Sequence, residues 1–127
     1  MSNIHYDILS ETDVTLAVGR PVYYDADGAL KYVTTSNRRP LGVILALDER
    51  DGCKIATVGL QGGVYPFRMA SPTYNNRVGI PVTTMALYGV EFASGFQYSM
   101  GALLTPKAVN GFVQIATDFT PYYVQDF

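Results

Sequence analysis

From Val14 onward glycine and proline interrupt the chain at short intervals, and no window carries apolar residues at the i, i+3, i+4 spacing of an amphipathic helix. A helix without such a stripe has no face to bury, and interior proline and glycine weaken it further. Short strands joined by turns are what remains. Within that pattern Val18 to Val22 reads VGRPV, and Val78 to Val82 repeats it as VGIPV. Glycine reaches positive φ without strain and proline holds φ near about −65°, so each segment suits a corner between strands.

Val14 to Thr34 reads as a strand over Val14 to Val18, a turn at Gly19 to Pro21, a strand over Val22 to Tyr24, a turn at Asp25 to Gly28, and a strand over Leu30 to Thr34. A polar loop, Thr34 to Pro40, follows. Val43 to Leu47 and Lys54 to Leu60 then form a predicted hairpin joined by DERDG at Asp48 to Gly52, with a third strand at Val64 to Phe67. Pro72, Asn75 and Asn76 mark the stretch from Arg68 to Arg77 as a long connection. A looser third repeat runs from Met100 to Phe119, where Asn110-Gly111 is a strong two-residue hairpin signal. The repeats are irregularly spaced, which excludes a solenoid. The expectation is an all-β fold: a small single-domain β-barrel or β-sandwich built from hairpins over residues 14–127. Residues 1–13, polar and weakly patterned, read as an extended N-terminal arm that is ordered by docking.

The 127 residues are enough for one hydrophobic core. Charged residues make up 16%, against roughly a quarter in an average soluble domain. The surface is therefore expected to meet partners. A net charge of −2 argues against nucleic acid, whose backbone is bound by clustered Lys and Arg. Arg38 and Arg39 are the only adjacent basic residues and read as part of a solvated loop. No window approaches the ~18 apolar residues of a membrane helix, and the first residues lack a basic n-region. Neither a membrane partner nor export is expected.

Chemical groups are sparse. His5 is the single histidine, so Ser-His-Asp, Cys-His and multi-histidine metal arrangements are not expected. Cys53, alone and inside a predicted strand, reads as buried and inert. DADG at Asp25 to Gly28 begins like a calcium loop, yet ALKYV follows where further oxygen ligands would be needed. Neither GxxxxGK[ST] nor GxGxxG occurs, and Gly62-Gly63 reads as a turn. No catalytic, cofactor-binding or metal-binding residue is assigned, and the chain is not expected to be an enzyme. Ten tyrosines and six phenylalanines are present without tryptophan. The PYYVQDF segment concentrates Tyr122, Tyr123 and Phe127, either as a last strand on its own domain or as a contact between subunits.

The succession GRPVYYDADGALKYV, then PLGVILALDERDGCKIATVGLQGGVY, then a later glycine-containing strand pair resembles the small capsid decoration, or cement, proteins of tailed bacteriophages. Gly19 and Val22, Gly42 and Val43, Gly52, and the run from Val58 to Val64 carry the resemblance, which covers about residues 14–66. It implies a non-enzymatic homotrimer, made in the host cytoplasm, that binds the major capsid protein on the outside of an assembled head. Bridging shell subunits on a symmetric lattice favours a docked arm, and Ile4, His5, Tyr6, Ile8 and Leu9 are the expected capsid-binding residues. Tyr122, Tyr123 and Phe127 are the expected subunit interface. The alternatives are another virion β module, such as a head-fibre base, tail or baseplate component, and a carbohydrate-binding module, which the lack of tryptophan disfavours. An oligomeric enzyme sharing Asp25, Asp48 or Tyr74 between chains is a further rival.

Overall fold

The computed structural model describes residues 3–34, 38–68, 95–104 and 109–124. Its elements are β1 (Ile4–Ile8), β2 (Pro21–Tyr24), β3 (Leu30–Tyr32), β4 (Gly42–Arg50), β5 (Cys53–Leu60), β6 (Val64–Arg68), β7 (Gly95–Tyr98), β8 (Gly101–Leu103), β9 (Phe112–Thr117) and β10 (Pro121–Val124). They form a five-stranded sheet in the order β1-β5-β4-β2-β3, a three-stranded sheet β6-β9-β8, and a β10-β7 ribbon. Every strand pair is antiparallel. The fold is all-β, a small single domain.

The β4–β5 hairpin is the longest pairing, and it is longer than the sequence suggests. Only Asp51 and Gly52, at φ 51° and 79°, make the turn. Two positive φ values define a type I′ turn, whose twist matches that of the flanking strands. Asp48, Glu49 and Arg50, expected in the connection, therefore continue β4 and pair with Ile55, Lys54 and Cys53. The same device recurs at Asn110-Gly111, φ 54° and 82°, where Val109 and Phe112 exchange backbone hydrogen bonds of 2.8 and 3.0 Å.

The five-stranded sheet curls around one core. Val22, Leu30, Tyr32, Ile44, Ala56 and Val58 point inward, and Leu9 and Ala17 complete the filling. A bulge between Ile44 and Ala46 bends β4. The sheet's two edges approach where the Ser10 N–H donates to Leu30 O at 2.8 Å and Leu9 bridges Leu30. One bridge does not close a barrel. On the outer face Val33 and Val43 pack against Phe67, Val113 and Ile115 of the three-stranded sheet, with Met100 and Phe119 alongside. Two layers with a shared core make the fold sandwich-like.

Residues 3–13, read as an extended arm ordered by docking, lie docked on the sheet of the same chain, β1 pairing with β5 along its whole length. Leu60 N–H donates to Asn3 O and Leu9 N–H to Lys54 O, both at 2.8 Å. Val14 to Val18, expected as a strand, is a run of turns. The Asp13 carboxylate accepts the Thr15 N–H at 3.1 Å and starts them, as aspartate does in turns. The second repeat, Val78 to Val82, and the connection beyond Arg68 lie outside the described residues.

The first repeat is a corner. Gly19 has φ 90°; its N–H donates to Ile44 O at 2.7 Å in one sheet, and its carbonyl accepts from Arg68 N at 2.9 Å in the other. A Cβ built there would lie 2.7 Å from the Phe112 ring and 2.8 Å from Arg68 N. Gly19→Ala is expected to lower unfolding free energy by about 2–4 kcal/mol, combining left-handed strain with overpacking. Gly28→Ala, at φ 79° with open space around it, is expected to cost only about 1 kcal/mol. Urea denaturation of both variants checks the difference.

Candidate functional site

Alternation along β1 sends Ile4, Tyr6 and Ile8 to one face and His5, Asp7 and Leu9 to the other. The first face continues onto β5 through the pairs Tyr6 with Thr57 and Ile8 with Ile55. Tyr6 is 65% exposed and Ile8 51% exposed. The core shared with the three-stranded sheet draws on Val33, Val43 and Tyr23, not on β1. An apolar strip therefore remains on the outer strand of the sheet.

The opposite face fastens that strand in place. The Tyr24 hydroxyl donates to the Asp7 carboxylate, and the phenol oxygen lies 2.7 Å from His5 Nε2. With the phenol proton directed at Asp7, His5 Nε2–H is the donor to Tyr24. Asp7 Oδ1 also accepts the Ile8 N–H at 2.7 Å. The Tyr24 hydrogen bond, then the Ile8 amide, hold the Asp7 carboxyl below its ordinary range. Desolvation and the Asp7 carboxylate push the Tyr24 hydroxyl up to about 12. A phenol so raised stays protonated and works as a hydrogen-bond donor, not as a nucleophile. The cluster is a clamp between β1 and β2, and the sequence reading missed it, although the i, i+2 spacing of His5 and Asp7 placed both on one face.

Other assigned residues fall elsewhere. Leu9, only 4% exposed, belongs to the core, and His5 is engaged by Tyr24; of the expected capsid-binding residues Ile4, Tyr6 and Ile8 share the outward face, with Ile4 half-buried and Tyr6 and Ile8 exposed. Tyr122 and Tyr123 lie in β10, paired in register with Gln97 and Phe96 of β7 in the same chain. Phe127 and Tyr74 lie outside the described residues. Cys53, expected to be buried, is exposed. It opens β5 opposite Arg50, past the end of the core, where the long hairpin projects. Asp25 Oδ1 accepts the Asp27 and Ala29 N–H groups at 2.9 Å each, so DADG uses this carboxylate to build its turn. Asp48 pairs with Arg50 at 3.1 Å. Among the described residues no three His, Cys, Asp or Glu side chains converge as metal ligands, and no helix is long and apolar enough to cross a membrane.

An open cleft of about 730 Å³ lies beside β2, with Arg38, Arg39 and Tyr23 among its walls and Leu41, Leu60 and Phe119 supplying apolar surface. The Arg38 guanidinium sits 4.7 Å from the centre of the Tyr23 ring. Arg38 and Arg39 were expected in a solvated loop; both are exposed, and the fold places them at this cleft. Comparison with protein-family models, with curated proteins and with solved structures finds no match to the chain.

The clamp has a pH signature. Asp7, with its folded value lowered, contributes stability above its unfolded value near about 4, and that contribution is lost as pH falls through the folded value. Tyr24, with its folded value raised, contributes stability below about 10 that is lost as pH rises toward about 12. Tyr24→Phe is expected to cost no more than about 1 kcal/mol at pH 7, given the partial exposure of the pair. The deficit should shrink on acidification below about pH 4, which urea melts at pH 7 and pH 3 measure.

Proposed function

We propose that the protein is a non-enzymatic structural component of a virus particle: a capsid decoration protein that binds the outside of an assembled bacteriophage head and bridges its subunits. The observation that carries this reading is the strip on β1. Edge strands in soluble proteins are commonly blunted by charge, proline or a covering element, because an exposed apolar edge invites association. Here Tyr6 and Ile8 project from such a strand, and the clamp on the other face fixes their direction. A partner that covers the exposed half or so of each side chain gains about 1–2 kcal/mol for each. Repetition over a symmetric shell multiplies modest single-site affinity.

The partner in this reading is the major capsid protein, contacted through Tyr6 and Ile8. Copies of the chain associate as a homotrimer, with Tyr122, Tyr123 and Phe127 assigned to the contact between them. The resemblance over residues 14–66 supports the same role, and the protein would be found on the capsid surface.

The test is cosedimentation with purified undecorated shells, alongside solution mass. Stoichiometric binding of a trimer is expected, and the Tyr6→Ser/Ile8→Thr variant should bind at least about tenfold more weakly. Substitution is preferable to deletion of residues 1–13, which would also remove Leu9 from the core. A protein that ignores shells refutes the proposal, and undiminished binding by the variant refutes the assignment of the β1 face.

A further inference from the structure

We infer that the cleft beside β2 is a binding site for an extended acidic peptide segment, its carboxylate held by Arg38 and Arg39 and an apolar neighbour seated on the half-buried Leu41 and Leu60. The cleft's volume, about 730 Å³, falls within the roughly 300–1,000 Å³ of small-ligand sites. The floor is backed by the core, because Phe119 beneath it is 2% exposed and its N–H donates to Gln61 Oε1 at 3.0 Å. The site shares no residue with the Tyr6 and Ile8 strip and does not rest on the capsid reading.

The charge argument comes from how the arginines are used. Arg20 stacks 3.8 Å from the centre of the Tyr32 ring, and Arg50 pairs with Asp48. Arg68 donates through Nε to Val18 O at 3.0 Å and lies 4.5 Å from the centre of the Phe112 ring. Arg38 lies over Tyr23 with no carboxylate partner, and Arg39 has neither a carboxylate nor a ring partner among the described residues. Two arginines adjacent in sequence thus line one hollow in a chain of net charge −2, and no carboxylate among the described residues pairs with either. Planar guanidinium forks match carboxylates bidentately.

The surroundings select among anions. A bare anion would leave the apolar floor unused. A nucleic acid needs a basic track, and among the described residues the other arginines, Arg20, Arg50 and Arg68, are already engaged. A neutral sugar would leave the charge of Arg38 and Arg39 unmatched. An extended peptide meets both demands, since residues two apart lie on one side about 7 Å from each other. An acidic residue followed two positions later by Leu or Phe is the expected pattern.

The assay is fluorescence anisotropy of a labelled peptide in which Glu and Leu alternate with Ser, using the full chain without shells. Saturable binding is expected, weakened by added salt and weakened about tenfold or more in the Arg38→Gln/Arg39→Gln variant. The matching peptide with Gln for Glu should bind no better than that variant. Both arginines are exposed, so the variant should keep the wild-type circular dichroism, and the salt series tests the charge dependence without any substitution. Absence of saturable binding, equal affinity for the Gln peptide, or an undiminished variant would overturn the inference. Tighter binding of oligo-dT or of a neutral oligosaccharide than of the acidic peptide would overturn it as well.

Discussion

One residue without a side chain joins the two layers of this protein. Gly19 gives its N–H to Ile44 in the curled sheet and its carbonyl to Arg68 in the three-stranded sheet. A Cβ would push against Arg68 N and the Phe112 ring, so the approach exists only because position 19 is glycine. Neighbouring groups reinforce the seam. Arg68 Nε donates to Val18 O while its guanidinium stacks on Phe112, and Ile44 N–H returns a hydrogen bond to Arg20 O at 3.0 Å. Pro21 follows as the first residue of β2, where a missing backbone donor is tolerated in a sheet.

From that seam the core grows on both faces of the large sheet. Close backbone approaches recur: a Cβ on Gly42 would meet Gly59 O at 2.2 Å, and Gly59 and Gly63 leave room for the Tyr65 ring. Tyr65 in turn reaches Asn3 O at 3.4 Å, beside the start of β1. The outer strand is thus held by β5 along its length, by Tyr65 near its beginning and by the Tyr24 clamp on its inner face. Rigid placement of β1 is what turns Tyr6 and Ile8 from a frayed end into a surface with a definite shape. Preorganisation of that kind lowers the entropy lost when a partner binds.

Much of the fold was legible because local chemistry and long-range packing agree in it. Asn110-Gly111 announces a two-residue hairpin between β-forming runs, DERDG announces a hairpin though not that its turn is only Asp51-Gly52, and Gly19-Arg20-Pro21 announces a corner. Val14 to Val18 misled because an apolar run looks the same whether it lies in a strand or plugs the end of a curled sheet; the deciding group, Asp13, acts through a side-chain hydrogen bond. Cys53 misled because burial depends on how far a hairpin overshoots its core. The clamp of His5 and Asp7 with Tyr24, and the cleft beside Arg38 and Arg39, join segments far apart in the chain. Strand pairing and layer packing create them, and neither is written in any short stretch.

The account makes the two layers one cooperative unit joined at Gly19, a rigid scaffold from which the β1 strip and the β2 cleft are presented. Native-state hydrogen exchange of the amides at Gly19, Arg68 and Val58 tests this most directly. If the seam holds the layers together, all three exchange only through global unfolding, with the same free energy and the same denaturant dependence. Exchange at Gly19 and Arg68 through a smaller opening, while Val58 stays protected to the global limit, would show that the layers separate first and contradict the account.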